Sequence, residues 1–397
     1  MEFMGFPRPD GTAGARNYVA VIPAVQCGNE LADRIASEVG GPVVALPHNG
    51  ACVNILPDKE MISRALTGLG CNPNVAGVIV VGVGCDGVPA DQIAEGIAAS
   101  RKPVELLTIE REGSYENALD KGIRVAKQMR ADASLLKREA FDISYLTFAS
   151  KCTGSTPASI MACNPAVGWA ADELVKSGGT FMFSETAEII GAEHLLARRG
   201  ATEEVSRRIV EVARRMEQRM KDSGVDIRGS QPVPGNIRGG MTTLEEKSLG
   251  AIAKSGKSPI DGVLEWSERP EDKGMYFMDG SANTPQIFLG FAAGGAQVMS
   301  LNYGAGLPTM LHNYTVAVGG IPITPVIKVF SSPQDIAQME YFDVYAGSII
   351  EGKETVPDVG QRVLEELVAV ASGKPCRQEM HSRYHEMLLM YTTGPLL

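Results

Sequence analysis

Several absences narrow this 397-residue chain before any motif is read. No apolar run reaches the length of a membrane span. Met1-Glu2-Phe3-Met4-Gly5-Phe6 is not basic and leads into no apolar stretch, so no signal peptide is expected. No CxxC pair occurs, which argues against a zinc ribbon. The phosphate-binding pattern GxxxxGK[ST] is missing, and the glycines of Gly82–Gly87 lack the spacing of a dinucleotide site. A nucleotide-dependent dehydrogenase therefore has no positive support. Basic residues are outnumbered, 37 against 47 acidic, for a net charge of −10. That balance suits neither nucleic acid nor an anionic membrane.

What is present is ordinary globular material, with 44% hydrophobic and 21% charged residues. The length suggests two domains or one elaborate domain. The seven cysteines are odd in number and widely spread, which points to cytoplasmic thiols and not to a disulfide framework.

Apolar runs alternate with amphipathic stretches. Strands are expected over 17–23, 42–46, 75–81, 104–109, 143–149, 180–183, 275–278, 296–301 and 326–329. Helices are expected over 29–39, 58–69, 90–99, 167–177, near 187–197, 203–221 and 359–371, with a long one ending near 136. Residues 223–240, rich in Gly and Pro, read as a central loop. Non-alternating strands separated by helices indicate an α/β fold, doubly wound, with mostly parallel sheets and helices on both faces. Two Rossmann-like lobes are expected, 1–137 and 138–397.

Many metal-binding or acid–base groups fall just past strand ends, where open α/β sheets bind ligands. Cys27 follows the first strand, His48 and Cys52 the second, and Cys85 the third. Lys151 and Cys152 follow the fifth, and Glu185 the sixth. Any one cysteine beside a strand is most often a small core residue; several at one sheet edge weigh against that. Cys71, Cys163 and Cys376 lack this placement and read as structural. His194 lies beside Glu193 on a helix, with a surface role and a functional one evenly balanced. His312 lies in a Gly-rich segment and could face a substrate. His381 and His385, at i and i+4, read as a solvated helix face. Glu245-Glu246-Lys247 is either a surface charge run or part of a site.

The order of motifs resembles the large domain of the altronate and galactarate dehydratases. The resemblance runs from Arg8-Pro9-Asp10-Gly11 through His48-x-x-x-Cys52, Asn72-Pro73-Asn74 and Gly82-Val83-Gly84-Cys85. It continues through Lys151-Cys152-x-Gly154-Ser155, Ser184-Glu185-Thr186-x-Glu188 to His194, and Gly235-Asn236 to Gly250. It implies a lyase acting on a small anionic 2-hydroxy acid with a divalent metal, typically iron(II), Fe2+, with Mn2+ an alternative; the strand-end cysteines leave an iron–sulfur cluster as a second alternative, which no clustered ligand spacing supports. Fused members carry a small extra N-terminal domain, so a separate small subunit is expected, and a homo-oligomer is possible. A two-subunit branch cleaves (2R)-sulfolactate to pyruvate and sulfite. The sugar-acid enzymes carry an Asp where this chain has Thr156, and Ile160 and Met161 add apolar bulk. These changes favour sulfolactate over altronate or galactarate.

Expected metal ligands are His48, Cys85 and Cys152, then Cys27 and Cys52. Glu185, Glu188, His194 and Lys247 are candidates for acid–base or catalytic roles. Arg238, Asn236, Ser155, Thr156 and His312 are candidates for substrate binding, with Lys247 or Arg238 suited to an anion. A non-catalytic scaffold subunit is the remote alternative.

Overall fold

The computed structural model describes residues 1–304, 320–333, 339–381 and 387–394. His312 and His385 lie outside these residues. Among the described residues fourteen strands are formed: β1 (Glu2–Pro7), β2 (Ala13–Gly14), β3 (Tyr18–Pro23), β4 (Val43–Ala45), β5 (Val75–Gly82), β6 (Val104–Thr108) and β7 (Glu139–Asp142) in the first part of the chain. The rest supplies β8 (Thr147–Thr153), β9 (Thr180–Phe183), β10 (Gly262–Leu264), β11 (Gly274–Met278), β12 (Val298–Tyr303), β13 (Val326–Phe330) and β14 (Val344–Tyr345).

Two sheets are wholly parallel. The smaller has the order β4-β3-β5-β6 and the larger β10-β11-β9-β8-β12-β13-β14. Their central strands, such as Tyr18–Pro23 and Val75–Gly82, are buried almost end to end, which is why they read as continuous apolar runs. Helices cover them through single apolar stripes; Asn29–Val39 buries Leu31, Ala32, Ile35, Ala36 and Val39. The chain is thus an α/β protein with Rossmann-like parallel sheets. No helix of the described residues is long and apolar enough to cross a membrane.

A third, antiparallel sheet, β2-β1-β7, joins the start of the chain to residues 139–142. Its strands are short and half-exposed, so their apolar signal was too weak to read. The strand expected over 143–149 begins later. The Asp142 carboxylate accepts from Ser144 N and caps a 3-10 turn, Ile143–Tyr145, so the apolar run starts in a turn and β8 extends through Lys151 and Cys152. The helix expected near 187–197 is broken into a 3-10 turn, Thr186–Glu188, and a short helix, Glu193–Ala197; Gly191 between them has φ +92°. The central loop contains a short helix, Pro234–Arg238.

Two of the longer helices among the described residues fall outside the expected ones. Leu244–Ile252 is capped by Thr243, which accepts from Glu246 N; it carries Glu245, Glu246 and Lys247 in its first turns. Thr284–Ala293 is apolar on every side and buried, so it has no amphipathic period. It packs on the helix Leu56–Cys71 so closely that a Cβ at Gly68 would lie 2.4 Å from the Ala293 carbonyl oxygen.

The two parallel sheets are joined through buried asparagines. Asn72 Nδ2 donates to the Ala292 and Ala296 carbonyls at 2.8 and 2.9 Å. The tail from 387 folds back over the loop after β4, with Leu388 N donating to Pro47 O at 2.6 Å and Met390 N to Asn49 Oδ1 at 2.9 Å.

Candidate active site

The larger sheet reverses its strand order between β8 and β12. From β8 the chain moves outward through β9 on one side, and from β12 through β13 and β14 on the other. A crevice opens beyond the carboxyl ends of such a pair. Cys152 lies there, opposite Asn302 in register.

Five further ionisable side chains close around Cys152. Lys151 turns back at the end of β8, its Nζ 2.7 Å from Glu185 Oε1 and donating to the Cys152 carbonyl at 2.9 Å. Lys254 enters from the 3-10 turn Ala253–Ser255, after the helix Leu244–Ile252, and its Nζ is 2.6 Å from Glu185 Oε2. Glu185 thus holds one ammonium on each oxygen, and its Oε2 also accepts from Cys152 N at 3.1 Å. Glu188 pairs through Oε1 with Lys247 Nζ at 3.0 Å, and Lys247 donates to Gln231 Oε1 at 2.6 Å. The Cys152 thiol is 3.5 Å from Glu185 Oε2 and 3.6 Å from Glu188 Oε2. All six residues are buried.

Glu185 has φ +84°, a left-handed backbone that costs a non-glycine residue energy and marks functional sites. The neighbouring strand pins it. Thr186 N donates to Gly280 O at 3.1 Å, its hydroxyl donates to Asp279 Oδ1 at 2.5 Å, and it accepts from Gly280 N at 3.0 Å. The other Asp279 oxygen pairs with Arg215. Beneath β8, Asn302 Nδ2 donates to Ser150 Oγ and to Asn164 Oδ1, both at 3.1 Å, and Asn164 donates to the Gly250 carbonyl at 2.9 Å. This ladder ties the helix Leu244–Ile252 to the strand that carries Cys152.

The electrostatics favour an anion. Burial alone would raise Glu185, but Lys151 and Lys254 outweigh it and hold the carboxyl well below its ordinary value. Burial, and then Glu185, push the Cys152 thiol far above its usual range. By formal charge, three ammoniums face two carboxylates and a thiol, leaving one net positive charge in a buried cluster.

The expected site residues divide. Cys152, Glu185, Glu188 and Lys247 come together, and Ser155, Thr156 and Asn236 lie close by: Asn236 Nδ2 donates to Ser155 O at 3.0 Å, and Gly239 packs on Thr156. Thr156 is buried, and its hydroxyl has no hydrogen-bond partner among the described residues. Arg238 and His194 are exposed. Cys27 and Cys85 are exposed and Cys52 half-buried, on loops of the smaller sheet. The expectation of His48 as a leading ligand meets a direct obstacle. Its Nε2 sits 2.7 Å from the Pro23 carbonyl, which can only accept, and its Nδ1 accepts from Gly50 N at 3.1 Å. Both ring nitrogens are spent, and no lone pair is left for a metal in this arrangement. Lys254 was not anticipated, and Lys151 was noticed only as a strand-end residue; an isolated lysine after a helix carries no sequence signal.

Burial pushes His48 down to about 4 from its ordinary 6.5. Between those values the unfolded chain takes up a proton that the folded chain excludes, so stability falls as pH falls. The expected loss is about 3 kcal/mol across the window. Denaturant titrations of the wild type and of His48→Gln at pH 7 and 4.5 check this; an equal pH dependence in the variant refutes it.

Among the described residues, Cys152, Glu185 and Glu188 form a group whose ligand atoms lie within 4.8 Å of one another. One sulfur and two carboxylate oxygens are donors of a kind that divalent metals take. The donor set fits a divalent ion.

Comparison with known proteins agrees with this architecture. Residues 5–134 match the family model described as D-galactarate dehydratase/altronate hydrolase, second domain, and residues 143–394 the D-galactarate/altronate dehydratase C-terminal model. The chain is 37% identical over 384 residues to the (2R)-sulfolactate sulfo-lyase subunit beta of Chromohalobacter salexigens, covering 95% of this chain and 94% of that one. It is 30% identical to the altronate dehydratase of Bacillus subtilis, covering 95% of this chain and 75% of the relative. It is also 30% identical to the L-threo-forming galactarate dehydratase of Escherichia coli, covering 99% and 77%. The chain belongs to the D-galactarate/altronate dehydratase family.

Proposed function

We propose that the chain is the large, catalytic subunit of a metal-dependent lyase that performs β-elimination on a 2-hydroxy acid, with (2R)-sulfolactate its substrate. One observation carries this reading: the buried, net-positive cluster of Cys152, Glu185, Glu188 and three lysines at the switch point of the larger sheet. In this reading the unit 138–397 carries the chemistry and 1–137 supports it. The relative named as a subunit beta matches this chain over nearly its whole length, which supports a separate small subunit as partner.

Elimination begins at C2, whose proton is very weakly acidic because a carboxylate stands beside it. The charge that develops needs fixed positive groups nearby. Lys151 and Lys247, both buried, supply them. Cys152, Glu185 and Glu188 would hold the metal, which when bound acts as a Lewis acid on the substrate carboxylate and 2-hydroxyl. Glu185, tied to two ammoniums, keeps its charge and is a poor base. Glu188 would hold the metal through Oε2 and is paired on Oε1 with Lys247, so the C2 proton passes to a base outside these two carboxylates. The C3–S bond then breaks, sulfite leaves with the electron pair, and the enol becomes pyruvate. Thr156, uncharged and with a hydroxyl unsatisfied among the described residues, suits a compact sulfonate better than a polyhydroxylated chain.

The test is a paired product assay. The chain is co-expressed with a candidate small subunit, purified without oxygen, loaded with iron(II), and offered (2R)-sulfolactate and D-altronate. Sulfite with equimolar pyruvate is expected. A 2-keto-3-deoxy acid from altronate alone would assign the chain to sugar-acid dehydration. In the same preparations, Cys152→Ala is expected to lose bound iron and Cys85→Ala to keep it; full iron content in Cys152→Ala refutes the ligand assignment.

A further inference from the structure

We infer that Lys254 is a resident cation whose ammonium and a divalent metal ion compete for the same two ligand atoms. The inference rests on the metal reading above and adds an occupant to it. Lys254 Nζ lies 2.6 Å from Glu185 Oε2 and 3.6 Å from Cys152 Sγ. With Glu188 Oε2, these are the atoms through which the donor group converges.

The other two ammoniums stand differently. Lys151 binds the opposite oxygen of Glu185, Oε1, and the Cys152 carbonyl. Lys247 binds Glu188 Oε1 and Gln231. Neither lies on the side of the carboxylates that faces the thiol. Lys254 therefore satisfies two of the three donors, Glu185 Oε2 and Cys152 Sγ, from the side on which they converge.

A full positive charge and a divalent ion cannot share that buried space, because no solvent screens their repulsion. Metal entry must drive the ammonium out. Lys254 can leave without moving the backbone, since its charge sits at the end of a flexible four-carbon stem. Two consequences follow. The affinity for metal is held down by the work of displacing Lys254. The displaced ammonium stays beside the cluster, where it can bind the anionic end of a substrate, so metal loading and anion binding are coupled.

Manganese(II) is the probe. Equilibrium dialysis compares wild-type chain with Lys254→Met and Lys151→Met, each checked for folding by circular dichroism. Removing Lys254 is expected to tighten Mn2+ binding about tenfold beyond the effect of removing Lys151. Wild-type crystals soaked in Mn2+ supply a second measurement that needs no variant. Anomalous density at Cys152, Glu185 and Glu188, with Lys254 turned away from Glu185 Oε2, is the expected result. Equal effects of the two substitutions, or Mn2+ bound with Lys254 still on Glu185 Oε2, would overturn the competition while leaving the metal site intact. No Mn2+ at these donors in either the wild type or Lys254→Met would remove the metal reading and this inference with it.

Discussion

Glu185→Gln is expected to abolish turnover and to destabilise the folded chain by about 3–5 kcal/mol. Both carboxylate oxygens are in use, Oε1 by Lys151 and Oε2 by Lys254. An amide offers one neutral acceptor and turns an N–H2 toward the second ammonium, so a buried positive charge is left without a counter-ion. A fall in kcat/KM of about a thousandfold or more is expected, because the cluster also loses its fixed negative charge. Urea titrations measure the stability, and the double variant Glu185→Gln/Lys254→Met should recover part of the loss by deleting the stranded cation. A single variant as stable as wild type would show that the ion pairs contribute nothing. The pH dependence follows from the same geometry. The folded-state carboxyl is held down to about 2 against an ordinary 4.5. Its contribution is therefore present above pH 4.5 and is lost as pH falls through about 2. The His48 loss falls above this cluster's window, and there Asp343, pushed up to about 6 by burial, works in the opposite sense.

The second large effect lies far from the chemistry. Asn74→Ala is expected to cost about 4 kcal/mol or more, because four buried backbone groups lose their partner together. Asn74 Oδ1 accepts from Ala15 N at 2.8 Å and Arg16 N at 3.2 Å. Its Nδ2 donates to the Gln297 carbonyl at 2.8 Å and the Ile323 carbonyl at 2.9 Å. One side chain thereby fixes the start of the chain against the ends of two loops of the larger sheet. Asn74→Asp should be no better, since a carboxylate would face two carbonyl oxygens. Guanidinium unfolding gives the measurement, and a loss below about 1 kcal/mol would mean that water replaces the amide. The Asn72-Pro73-Asn74 motif is explained by this joint rather than by catalysis.

The sequence by itself determined the class of fold and the neighbourhood of the chemistry. Runs such as Val75–Gly82 are apolar without alternation because both sheet faces are covered, and Asn29–Val39 shows one apolar stripe because a single face is covered. Motif order also named Cys152, Glu185, Glu188 and Lys247. Only the tertiary structure decided which strand-end groups meet. His48, Cys85 and Cys152 look alike in sequence, each a polar or thiol side chain after an apolar run. Cys152 reaches Glu185 because β8 and β9 are neighbours in the sheet, whereas His48 is closed off by its own loop and by a tail more than 300 residues later. Lys254 was invisible for the same reason: a lysine in a turn becomes chemically distinctive only when the fold buries it against a carboxylate, and burial is a property of packing that no local pattern records.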